Sequence, residues 1–136
     1  EDFEASWRVN AYGLMLVSQQ VLASMKQQGK GALIIIGATA SKRGGIKTAA
    51  FAPAKAAQRS LAESMAKYLG PLGIHVALVI IDGVVGLQKT REFMPDKPDD
   101  FFVKPNDVAE TVFWLTQQAP STWSFEVEIR PFGEVW

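Results

Sequence analysis

Cysteine is absent from the 136 residues, so disulfides, thiolate nucleophiles and cysteine-ligated zinc are excluded. Histidine occurs once, as His75. That is too few for a histidine-rich metal centre, and no metal site is expected. No apolar run approaches the ~18 residues of a spanning helix, and no signal-peptide pattern is present. Charge of one sign is not in excess either: 14 basic residues meet 14 acidic ones, for a net charge of zero. Nothing in that balance marks a nucleic-acid or anionic-membrane surface. Repeats and low-complexity tracts are also lacking. What the chain does have is 48% hydrophobic and 21% charged residues, the balance of a folded globular protein rather than a disordered one. Its length suits a single domain, residues 1–136, able to bury roughly two-thirds of its unfolded surface. A reducing, cytoplasmic setting is expected.

The chain opens Glu1-Asp2-Phe3-Glu4, without methionine and already inside a helical pattern, so we expect a partial or processed chain. Apolar residues recur at three- and four-residue spacing across roughly residues 2–28, through Phe3, Trp7, Leu14, Val21 and Met25, and predict a helix. Val9, Leu16 and Val17 make it apolar on more than one side. Gly29-Lys30-Gly31 stops it. The run Ala32 to Ile36 predicts a strand buried on both faces, and the small, polar residues 37–48 predict a loop. Helical spacing returns over residues 50–69, where Pro53 is tolerable only in the first turn. Ile74 to Ile81 predicts a second buried strand. Residues 83–104 mix Gly, Lys, Asp and Pro and predict a long mobile segment. Pro105 opens a helix to about Gln118, and Trp123 to Ile129 alternate as a strand with one wetter face. Helices alternating with strands predict an α/β fold with a parallel sheet and right-handed crossovers. Its first strand would be a bare apolar edge.

Ligands of open α/β sheets bind beyond the carboxyl ends of the strands, here Gly37 to Ser41 and Ile81 to Val84. Phe51 and Lys55 are four apart and share one face of the helix that starts at that rim. Lys55 there suits binding of a sugar hydroxyl, and a solvated surface lysine is the competing reading. Asn10 falls within the apolar stripe, where a buried amide must be hydrogen-bonded. It is either structural or part of a site. His75 alternates with apolar residues and reads as structural or exposed. Ser41-Lys42-Arg43 and Lys47 read as a solvated loop ahead of a phosphate contact.

These positions together resemble the short-chain dehydrogenases/reductases. Phe3-Glu4-Ala5-Ser6-Trp7-Arg8-Val9-Asn10-Ala11 is similar to the helix that carries that family's active-site asparagine. Gly31 to Gly37, the following loop and Phe51-Ala52-Pro53-Ala54-Lys55-Ala56-Ala57 resemble its strand, serine loop and Tyr-x-x-x-Lys helix. Leu69-Gly70-Pro71-Leu72-Gly73-Ile74-His75-Val76 resembles the segment before its Pro-Gly turn. Trp123 to Pro131 is similar to a bacterial subgroup that shares this chain's departures from the family pattern. The resemblance covers nearly the whole chain. It implies the last three strands, with their helices, of a doubly wound Rossmann-like sheet: the carboxyl-terminal half of such a domain.

The family acts through an Asn-Ser-Tyr-Lys tetrad. Its tyrosine is the acid/base, its lysine lowers the tyrosine pKa and holds the nicotinamide ribose, its serine orients the carbonyl, and its asparagine supports a proton relay. On this chain the resemblance places Asn10 and Lys55 at two retained positions, and Ala38 and Phe51 at the serine and tyrosine positions. Cofactor contacts are implied at Lys55, Gly37, Ile81, Asp82, Gly83 and Val84, with Ile81-Asp82 in place of Pro-Gly. The glycine-rich diphosphate loop is not among these residues, so NAD or NADP binding is expected to be weak or absent in them alone. Thr39 and Ser41 are the hydroxyls nearest the lost serine, and Tyr12 and Tyr68 are expected to point elsewhere. The resemblance thus implies an NAD(P)-dependent oxidoreductase with a degenerate tetrad, acting on a small carbonyl or alcohol. The alternative is an inactive homologue, a nucleotide-binding or assembly module. It also implies a homodimer or tetramer through the helices at 2–28 and 50–69.

Overall fold

The computed structural model describes residues 2–133. The Asp2 carboxylate accepts from the Ala5 amide at 3.1 Å and caps α1 (Phe3–Trp7), as short acidic side chains do at helix starts. The same rod continues as a π-turn (Arg8–Tyr12) and then α2 (Gly13–Gln28). Gly29 ends it at φ 63°, with its amide on the Lys26 carbonyl and the Lys30 amide on that of Met25. This is the paired closure that a left-handed glycine permits. β1 (Gly31–Ala38) follows, then a 3₁₀ turn over Thr39–Ser41 and α3 (Phe51–Leu69). Gly73, at φ 79°, turns the chain into β2 (Ile74–Ile81). A Cβ on Gly73 would sit 2.2 Å from the Gly29 carbonyl oxygen. The two helix-to-strand turns therefore lie back to back, and only glycine fits there.

Beyond β2 come β3 (Val84–Val85), α4 (Gln88–Phe93), β4 (Phe102–Val103), α5 (Pro105–Thr116) and β5 (Glu126–Ile129). β1, β2 and β5 form one parallel sheet in that order, in register from Gly31↔Ile74 to Ala38↔Ile81 and from Leu78↔Glu126 to Ile81↔Ile129. The α/β parallel sheet predicted from the alternation is what forms. β2 is central and buried along its whole length. One face carries Val76, Leu78 and Ile80 against Ala62, Met65 and Leu69 of α3. The other carries Ala77, Val79 and Ile81 against Leu115 of α5 and Val103. Helices thus cover both faces.

Three expectations need correction. Residues 37 and 38 are strand, not loop, because their pairing with Ile80 and Ile81 continues the ladder. The segment 83–104 is not a featureless mobile stretch: β3 pairs in parallel with β4, and Phe102 and Val103 are buried. This apolar pair supplies an anchor that the surrounding prolines and charges conceal. β1 is not buried on both faces. Ile35 is buried, but Ile36 is 42% exposed, and among the described residues the strand pairs only with β2. It is the open edge that its composition predicts. His75 is buried and structural. Its ring stacks on Trp123 at 4.9 Å, and its Nε2 lies 2.8 Å from the Ser124 carbonyl. Among the described residues no helix is long and apolar enough to cross a membrane.

Candidate functional site

α3 begins at the carboxyl end of the sheet, so its first two turns bring Phe51 and Lys55 to the rim. Lys55 is not a solvated lysine: it is 8% exposed. Its amine donates to the Ile36 carbonyl and to Gln58 Oε1, each at 2.8 Å. Burial holds its pKa below the ordinary lysine value, because desolvation penalises the charged form. The Phe51 ring centre lies 6.0 Å from Nζ, at the outer limit of a cation–π contact. The predicted Phe51–Lys55 face is therefore present, without an ionisable hydroxyl on it.

Asn10 sits in the π-turn, where the Gly13 amide bonds the Arg8 carbonyl five residues back. Such turns are frequent at functional sites, and sequence periodicity carries no signal for one. The Asn10 side-chain amide is satisfied locally, donating to the Ser6 carbonyl at 3.0 Å. Its backbone carbonyl turns toward α3 and accepts from Gln58 Nε2 at 3.2 Å. Asn10 and Lys55 are thus joined through Gln58, a residue that sequence reasoning passes over. Its only signal is a polar side chain one turn after Lys55.

Both substitute hydroxyls are engaged, in different ways. Ser41 is buried, its Oγ accepting from the Ala38 amide at 3.1 Å. The Thr39 hydroxyl donates to the Asp82 carboxylate. Tyr12 stacks on Trp7, and Tyr68 bonds Lys26. Asp82, at the Pro-Gly position, also pairs with Arg130 at 3.4 Å and Arg43 at 3.7 Å. Arg130 bonds Glu128, Glu128 bonds Lys42 at 2.7 Å, and Glu126 bonds Arg59 at 2.6 Å. This ionic seam ties the loop after β1, the end of β2, β5 and α3 together. Lys42 and Arg43 join it from a loop that is solvated as expected, both side chains being exposed.

Of the other expected cofactor positions, Ile81 is a core residue on the α5 face, away from Lys55. Val84 is half-buried and opens the short ladder with Phe102. A Cβ on Gly37 would press on Ile80 and Ser41, and one on Gly83 on Pro131 and Val103. Both glycines lie where side chains pack closely. What remains at the rim for a ligand is one N–H of Lys55, suited to an oxygen acceptor such as a hydroxyl. A buried ammonium has two of its three donors spent, and no described acceptor takes the third.

Lys42 holds the Glu128 carboxyl below the ordinary glutamate range, chiefly through their hydrogen bond. A lowered carboxylate contributes stability above its unfolded pKa and loses it as pH falls through the folded value. Unfolding midpoints in urea should therefore drop on acidification below the ordinary carboxylate range. Lys42→Met should flatten that part of the profile; an unchanged slope would show the bridge contributes nothing. The exposure of Lys42 keeps the effect small.

Comparison with known proteins gives the same direction. A family model described as short chain dehydrogenase matches residues 1–96. The chain is 33% identical over 79 residues to the vibriobactin-specific 2,3-dihydro-2,3-dihydroxybenzoate dehydrogenase of Vibrio cholerae, covering 58% of this chain and 30% of that one. It superposes on a crystal structure of a short-chain dehydrogenase from Rhodopseudomonas palustris with a TM-score of 0.76 and 37% identity, covering 96% of this chain and 52% of that one. A 4-hydroxyisoleucine dehydrogenase complexed with NADH shares the fold, with a TM-score of 0.79 at 20% identity, over 95% of this chain and 58% of that one. The chain spans less than two-thirds of each of these relatives.

Proposed function

The chain belongs to the short chain dehydrogenase family, and from that premise we propose that it forms the lysine-bearing half of an NAD(P)-dependent oxidoreductase. The observation that carries this reading is the buried Lys55 amine at the carboxyl end of the sheet, joined to the Asn10 carbonyl through Gln58. Lys55 would hold the ribose hydroxyls of the nucleotide. When bound, the nicotinamide supplies or accepts a hydride. Diphosphate contacts would come from outside these residues, whose sequence contains no Gly-x-x-x-Gly-x-Gly loop. A small carbonyl or alcohol is the substrate class, the cytoplasm the setting, and a homodimer or tetramer the assembly.

A second reading has its own support. Phe51 and Ala38 offer no proton donor, the Thr39 hydroxyl is spent on Asp82, and a serine hydroxyl such as that of Ser41 has no pKa suited to the task near neutrality. On that reading the protein binds nucleotide, or assembles with a partner, without turnover. Calorimetric titration with NAD(H) and NADP(H) of a protein that also carries the diphosphate-binding half, followed by assays on small ketones and alcohols, separates the two. Binding with turnover supports the oxidoreductase, and binding without it supports the inactive module. The 136 residues alone should bind either nucleotide no better than millimolar. A micromolar constant for them would place the diphosphate site within them and overturn the assignment of those contacts to other residues.

A further inference from the structure

The Lys55 ammonium is buried and makes no ion pair with a described carboxylate. An uncompensated buried charge is costly, so its neutral acceptors decide how it sits. Ile36 supplies one from the β1 backbone, and Gln58 Oε1 supplies the other from the next turn of α3. Gln58 is itself aimed by its far end, where Nε2 donates to the Asn10 carbonyl in the π-turn. A primary amide suits this bridge because it accepts at one atom and donates at the other. A carboxylate would accept toward Lys55 but repel the Asn10 carbonyl, and an aliphatic side chain would do neither.

We propose that Gln58 is a positioning residue for Lys55: its amide bridges the lysine amine and the Asn10 carbonyl, so the lysine is held in one direction by the turn that carries the asparagine. The inference rests on the proposed function only for the task it gives the lysine; the bridge itself is read from α3, β1 and the π-turn. An acceptor on the ammonium favours the charged form, opposing the burial that disfavours it. Removing or strengthening that acceptor must move the lysine titration in opposite directions.

The test is an NMR titration of the Lys55 side chain in lysine-labelled protein, for the wild type, Gln58→Leu and Gln58→Glu. The leucine variant should lower the midpoint by about one pH unit, a tenfold change in the dissociation constant. The glutamate variant should raise it. General loosening of the site would return the amine toward its exposed value in both variants. Shifts of the same sign, or no shift, therefore overturn the proposal. If neither variant folds, the wild type still decides: the Gln58 side-chain amide protons should exchange slowly with solvent, and exchange at the free-glutamine rate overturns the bridge. The titration needs no nucleotide, so it can fail while cofactor binding succeeds, and the reverse.

Discussion

In a protein that also carries the diphosphate-binding half, Phe51→Tyr combined with Ala38→Ser should raise NAD(P)H-dependent reduction of small ketones by about 10²-fold or more, the range a positioned proton donor contributes. Carbonyl reduction needs a hydride on carbon and a proton on oxygen. The nucleotide provides the first, and the wild-type rim has no tyrosine hydroxyl for the second. A tyrosine at position 51 would stand one helical turn from Lys55, on the same face, where the phenylalanine ring centre is now 6.0 Å from the amine. The ammonium favours the tyrosinate left after proton transfer. Serine at position 38 would put a hydroxyl at the end of β1, beside the Ser41 oxygen that already receives the Ala38 amide.

Two controls make this result specific. Lys55→Met in the double variant should remove the gain, because groups that act as a unit are not additive. Phe51→Tyr alone should recover only part of it. The decisive contrary outcome is a wild type that reduces ketones faster than the double variant. That would mean the chain supplies a proton by another route, and the inactive reading would fall with it.

The legible parts of this molecule are those governed by one-dimensional patterns. The continuous apolar run of β2 reads as a buried strand and is one, because both of its faces are covered and no alternation is left to mislead. The same composition in β1 reads identically, yet Ile36 is open to solvent. Burial of an edge strand depends on what lies beside it, and a run of isoleucines cannot report that. Phe51 and Lys55 are legible because helical spacing alone puts them together. The Lys55–Gln58–Asn10 bridge is not, because it depends on a π-turn and on the packing of two helices far apart in sequence. Asp82 illustrates a third case. Its position is recognisable, but its ionic partners come from the 3₁₀ loop and β5, and no local pattern links them.

Charge on the exposed side of the first helical rod should dissociate the assembly we propose. Val9 and Val17 are 74% and 61% exposed, together with Phe3, Trp7 and Leu16 on the same rod. Eight residues of ideal α-helix would turn Val17 about 80° away from Val9. The π-turn takes up roughly one extra residue in between, which returns both valines to one side. Two large exposed valines on one side of a rod make a face suited to association. Ala57 and Leu61, on the α3 helix that the resemblance also implies in the contact, are less suitable sites for a charge. Leu61 packs against the α3-side core, so a charge there would unfold the protein rather than split it. Val9→Glu with Val17→Glu should instead leave the thermal midpoint of the fold nearly unchanged while shifting the light-scattering mass from dimer to monomer. Two copies meeting across a twofold axis would double the penalty, since each substituted residue faces the same patch of its partner. A variant that remains dimeric at micromolar concentration would place the interface elsewhere, with the open edge of β1 as the next surface to block.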